Sequence, residues 1–129
     1  MRIATAVLLC VLALACSTSG PAKPLTAAQL KDVVATLKSR GLTEPQHIEV
    51  ASNGFVVADY EIPGGSLAVL NPRAFGESRL LAIREALLTD GYKDFRVNVN
   101  GPPPGTGLIR RYGSARFIAI GGKVEWLTP

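Results

Sequence analysis

The chain has 129 residues, with 14 Lys and Arg against 10 Asp and Glu for a formal charge of +4, and 47% of its residues are hydrophobic. This length allows one domain with its own core but not two. Two cysteines and a single histidine argue against a disulfide framework and against a His/Cys metal centre.

The chain opens on Arg2, followed by an almost wholly apolar run from Ile3 to Ala15, and Ala13-Leu14-Ala15 leads into Cys16. As a helix that run rises only about 20 Å, short of a hydrocarbon core of about 30 Å. Residues 1–15 therefore read as a secretory signal, removed from the mature protein. The small residues before Cys16 resemble a bacterial lipobox, with Ala13 standing where leucine is usual. The resemblance implies a diacylglyceryl thioether and an N-acyl chain on Cys16, and so a membrane anchor. Ser17 behind the cysteine implies the outer membrane, facing the periplasm, in a Gram-negative envelope. The alternative is a plain secreted protein, because Ala13-Leu14-Ala15 is also an A-x-A cleavage site.

Residues 16–25 are small, polar and proline-bearing, a tether between lipid and domain. Thr26 and Gln29 form a capping box that opens a helix, with Leu25 and Leu30 as its hydrophobic staple. Leu30, Val33, Val34 and Leu37 share one face, and Gly41-Leu42 supplies the left-handed stop and its apolar contact. Ile48-Glu49-Val50 and Val56 to Ile62 then alternate as two strands. A three-residue loop, Ser52-Asn53-Gly54, pairs Val50 with Val56 and Ile48 with Ala58. That register puts Ile48, Val50, Val56, Ala58, Tyr60 and Ile62 on one face, and His47, Glu49, Asp59 and Glu61 on the other.

A second helix is expected from about Glu77 to Asp90, with Leu80, Ile83 and Leu87 as its stripe and Gly91-Tyr92 as its stop. Phe95-Arg96-Val97 starts a further strand. Gly121-Gly122 reads as a two-residue hairpin turn that sets Phe117 opposite Trp126 and turns Ile118 and Ile120 to the other side. Two helix stops and two strand blocks recur about fifty residues apart, and Ile62 to Pro72 resembles Ile120 to Pro129 in the same way. Such an order suggests two duplicated α-β-β-β halves, 26–72 and 73–129. Helix stops and hairpin turns use the same few residues in unrelated chains, so chance recurrence is the alternative.

Without Arg2 the mature chain, residues 16–129, carries a net +3. Residues 16–70 hold four basic and five acidic groups, whereas residues 71–129 hold nine and five. The halves differ most where Gly101-Pro102-Pro103-Pro104-Gly105-Thr106-Gly107 introduces Leu108-Ile109-Arg110-Arg111-Tyr112, read as a short edge strand. Three prolines make a stiff segment that cannot donate to a sheet ladder. This loop and Arg96, Arg110, Arg111 and Arg116 are the candidate contact residues, for an envelope protein or an anionic envelope component. The competing reading is a sheet edge guarded by proline and charge.

Catalytic patterns are absent from the sequence. His47 could face Asp59 across the hairpin, but Gly64-Gly65-Ser66-Leu67 lacks the final glycine of a nucleophile elbow. The glycines around 101–107 have no Lys-Ser/Thr pair of a phosphate loop, and the prolines remove amides that would cradle a phosphate. No cofactor is expected. Nucleic-acid binding is not expected either, since an exported address and largely core aromatics argue against it.

The expected fold is α+β, with two helices on one face of a mainly antiparallel sheet of five or six strands within a single domain, 26–129. In layout this is similar to PepSY-type and β-lactamase-inhibitor-protein-type modules, which implies protein binding across the open sheet face. The expected function is that of a membrane-anchored, non-catalytic envelope lipoprotein with a binding domain. A small envelope hydrolase using His47 and a purely structural envelope protein are the alternatives.

Overall fold

A computed structural model describes residues 22–63, 70–101 and 110–129. Cys16 and the signal, the Gly64-to-Val69 stretch and the proline loop from Pro102 lie outside the described residues. The side chain of Arg110 also lies outside them.

The chain forms β1 (Lys23–Pro24), α1 (Ala27–Ser39), β2 (His47–Val50), β3 (Val56–Glu61), α2 (Pro72–Leu87) with a 3-10 turn at Leu88–Asp90, β4 (Phe95–Gly101), β5 (Arg110–Ile118) and β6 (Lys123–Leu127). The six strands lie in sequence order in one sheet. All neighbours are antiparallel except β3 and β4, which are parallel. A parallel pair needs a crossover, and α2 supplies it. This is the expected α+β class, with six strands.

Local chemistry sets the start and stop of α1. Thr26 Oγ1 accepts from the Gln29 amide at 3.2 Å and Gln29 Oε1 accepts from the Thr26 amide at 2.9 Å, closing the capping box. At the other end the Leu42 amide donates to Leu37 O at 2.9 Å and the Gly41 amide to Lys38 O at 3.0 Å, with Gly41 at φ 69°. These two bonds are a Schellman motif, which needs the left-handed residue that glycine provides. Leu25, Val33 and Leu37 are buried as expected, but Leu30 remains 37% exposed.

The second helix begins earlier than Glu77. Asn71 Oδ1 accepts from the Ala74 amide at 3.0 Å and Pro72 takes the first helical position. Asparagine cap and proline together form a start signal that outweighs the strand-like reading of this stretch. Within the span read as tether, Lys23–Pro24 instead pairs with β2 as an edge strand.

One face of the sheet carries Val56, Ala58, Tyr60, Phe95, Val97, Val99, Ala115 and Phe117, all buried against Val33, Leu37, Leu80, Ile83 and Leu87 of the two helices. The first hairpin has the expected register: Ile48 opposes Ala58, Val50 opposes Val56, and Gly54 sits at φ 91°.

The second hairpin differs from expectation by two residues. Ile118 opposes Lys123, Phe117 opposes Val124, and Ala115, not Phe117, faces Trp126. The turn is therefore four residues, with the Gly122 amide donating to Ile118 O at 3.0 Å. Asp94 Oδ1 accepts from the Ala119 amide at 2.9 Å and holds the turn against the preceding loop. The slip seats the Trp126 ring over glycine. A Cβ on Gly113 would lie 2.3 Å from Trp126 Cζ2, and one on Gly76 of α2 would lie 3.1 Å from Cζ3. Because the slip is even, Phe117 and Trp126 keep their inward face. Ile120 goes to the turn, 93% exposed. Arg110 to Tyr112 is not a separate short strand; it opens β5 and pairs there with β4, while β6 pairs with β5 only from Ser114 on.

Gly76 is where helix and sheet come closest, since its absent Cβ would also meet Val99 Cγ2 at 2.9 Å. In an exposed helix Gly→Ala stabilises by about 1 kcal/mol. Here overpacking of roughly 1–3 kcal/mol opposes that gain and exceeds it. Gly76→Ala is expected to lower the urea unfolding midpoint; an unchanged or higher midpoint would show that α2 and the sheet have room to separate.

Candidate functional site

The helix-free face of the sheet is built by the same alternation that builds the core. In β4, Phe95, Val97 and Val99 are buried, so Arg96, Asn98 and Asn100 project from the opposite side. Registers carried across the strands then form rows. One runs Glu49, Val57, Arg96, Arg116, Glu125, and the next runs His47, Asp59, Asn98, Ser114, Leu127. A register shift between Val99 and Asn100 brings Arg111 opposite Asn100, on the same face.

A hydrogen-bonded network ties these rows together. Arg96 Nε donates to Asn98 Oδ1 at 3.0 Å and Arg96 Nη2 to Ser114 Oγ at 3.2 Å. Ser114 Oγ donates to Asn98 Oδ1 at 2.8 Å, and Asn98 Nδ2 donates to Asp59 Oδ1 at 2.8 Å. Ser114 is 1% exposed and Asn98 7%, so these bonds offset the desolvation of two polar groups. Arg111 Nε donates to Asn100 Oδ1 at 3.1 Å, and Arg116 Nη2 meets Glu125 Oε1 at 2.6 Å.

The three arginines line one groove of about 380 Å³ together with Asn53, Phe55, Val57 and Asn98. Among the described residues no acidic one lines it. Arg96 and Arg116 are direct cross-strand neighbours. Like charges so placed are destabilising unless something compensates them. Arg116 has Glu125, whereas Arg96 bonds to the neutral Asn98 and Ser114.

Three of the four arginines singled out in the sequence are thus gathered at one place. The fourth, Arg110, pairs through its backbone with Gly101 at the start of β5. Asn98, Ser114, Phe55 and Val57 were missed. The polar alternation Arg96-Asn98-Asn100 was the legible signal for the first of them. His47 and Asp59 do oppose each other in register, but their side chains diverge. His47 Nε2 lies 2.7 Å from Glu49 Oε1 on its own strand, while Asp59 takes its bond from Asn98. Among the described residues no group of three or more His, Cys, Asp or Glu could hold a metal ion.

A second cavity, of about 460 Å³, lies beside Tyr60, Phe75 and Arg79. Its chemistry is that of a structural knot. The Arg79 guanidinium sits 3.5 Å over the Phe75 ring and donates to Phe75 O, Ser78 Oγ and Thr43 Oγ1 at 3.2–3.3 Å. Tyr60 packs edge-on against Phe75 and donates to Thr43 O at 2.7 Å. Together these bonds fasten α2 and the loop after α1 to β3. Burial pushes the Tyr60 hydroxyl well above the ordinary phenol range, with nearby Arg79 opposing the shift. Desolvation lowers the guanidinium of Arg79.

No family model, curated protein or solved structure matches the chain.

The shift at Tyr60 has a stability consequence. In the unfolded chain the phenol ionises near pH 10, whereas the folded protein holds it protonated to higher pH. Its contribution is therefore complete below about pH 10 and is lost as pH rises toward the folded value, at up to about 1.4 kcal/mol per pH unit. Absorbance titration should show one of the three tyrosines ionising late, and Tyr60→Phe should remove that step. A titration with no late step would mean that the knot opens to solvent.

Proposed function

We propose that this chain is a non-catalytic binding module of the bacterial cell envelope, anchored through lipid on Cys16, that holds an anionic partner against the helix-free face of its sheet. The observation that supports the reading most directly is the meeting of Arg96, Arg111 and Arg116 around one groove that no carboxylate of the described residues lines.

The arrangement suits binding better than catalysis. The groove offers fixed donors, two of them on strands in the middle of the sheet, and a sheet interior is a rigid support for a recognition surface. A reaction would need a nucleophile or a proton-transfer group at the same place. The one histidine is engaged with Glu49 beside it and does not line the groove.

Two measurements test this reading. Intact-mass analysis of the exported protein is expected to show acyl chains on an N-terminal Cys16; a mature product without them would remove the anchor. Arg96→Ala combined with Arg111→Ala is expected to reduce partner recovery in crosslinking of intact cells at least tenfold. Loss of the Arg96 bonds to Asn98 and Ser114 should cost about 1–3 kcal/mol, so the unfolding midpoint is measured beside recovery to establish that the variant is folded. Undiminished recovery by the doubly substituted protein would take the groove out of the binding reaction.

A further inference from the structure

We infer that the Arg96–Arg111–Arg116 groove is a phosphoryl-binding site, whose ligand is a phosphate ester carrying a small organic group. The inference rests on the proposed binding role of this face and specifies the chemistry that the face recognises.

Three features favour phosphate. Guanidinium groups bind phosphoryl oxygens through paired N–H donors, and a phosphoryl group offers several oxygens to several arginines at once. One carboxylate needs only one such partner. Secondly, Arg96 and Arg116 are held side by side by strand register, with Arg111 lining the same space. Of the three, Arg116 alone has an ion pair among the described residues, with Glu125. An anion seated between Arg96 and Arg116 would relieve a like-charge contact that the fold otherwise carries. Thirdly, the remaining wall is mixed: Asn98 brings an amide, while Phe55 and Val57 bring apolar surface. At about 380 Å³ the groove is of small-ligand size. An extended acidic peptide would run well beyond it.

The hydrogen-bond network already orients the donors. The guanidinium of Arg96 is held by Asn98 and Ser114, and Arg111 is held by Asn100. Such preorganisation reduces the ordering cost of binding. Phosphate esters reach this chemistry from two sources. A soluble metabolite or sugar phosphate presents a monoester dianion, and a phospholipid headgroup presents a diester monoanion.

The test is calorimetric titration and thermal melting of the full acylated chain in nonionic detergent at fixed ionic strength. The probes are inorganic phosphate, glycerol 3-phosphate as the monoester, and glycerophosphoglycerol as the diester, with acetate as the carboxylate control. Saturable binding of either ester, at least tenfold tighter than acetate, is expected. The stronger ester identifies the source. Arg96→Gln is expected to weaken it at least tenfold, with a thermal melt in phosphate-free buffer that remains cooperative and shows the protein folded. Arg96→Lys, which keeps charge but loses the planar fork, should fall between the two.

Esters binding no more tightly than acetate, or binding equally well to the Arg96→Gln protein, would overturn the inference. If the esters fail while the doubly substituted protein still loses its crosslinked partner, the binding role of this face stands and its ligand is not a phosphate. If both fail, the face is not the binding surface.

Discussion

The arrangement of this protein depends on one constraint, the cross-strand register from β2 through β5, continuous up to the shift at Val99/Asn100. Side chains alternate strictly along a strand, so one register decides two surfaces at once. When Val97 turns toward the helices, Arg96 and Asn98 must turn away from them. A slip of a single residue between β3 and β4 would bury Arg96 and expose Phe95 and Val97. The apolar free energy of the core therefore holds the polar face in place, although no residue of that face belongs to the core.

The parallel junction of β3 and β4 is where that constraint is least local. A hairpin fixes its own register through its turn, but β3 and β4 are joined through α2 and the segments around it. Their alignment is set by how α2 sits on the sheet. Two contacts set that seat: the approach of Gly76 to Val99 and Trp126 on one side, and the Arg79 guanidinium stacked on Phe75 and bonded to Thr43 on the other. A third contact lies at the far end, where Arg84 stacks 4.1 Å over the Phe117 ring of β5. Arginine stems and planar heads can pack as well as carry charge, and here two of them act as packing residues against aromatic rings.

On the polar face the same residue type does something different. Arg96 is directed by Asn98 and Ser114 and stands beside Arg116 at a separation that the sheet dictates. Two neighbouring cations reduce stability in the unbound protein. Carrying them is consistent with a surface shaped by recognition, since binding sites commonly keep arrangements that folding alone would not favour. The acidic residues Glu49, Asp59 and Glu61 lie on β2 and β3, and the arginines lie on β4 and β5. Acidic residues on β2 and β3, and Glu125 on β6, thus flank a basic strip on β4 and β5.

Features governed by neighbouring residues were legible in the sequence alone. The capping box at Thr26 and Gln29, the Schellman stop at Gly41-Leu42, the helical stripe of Leu80, Ile83 and Leu87, and the register around Ser52-Asn53-Gly54 follow from local hydrogen bonding and periodicity, and they stand in the structure as read. Arg96, Arg111 and Arg116 could be named from their chemistry. That they share a groove depended on the crossover through α2 and on the order of the strands, which bring distant residues together. The second hairpin shows the same division. Gly121-Gly122 marks a turn in any reading, but its length was decided by Trp126 seeking the space over Gly113 and Gly76, a contact between parts of the chain that no local pattern connects.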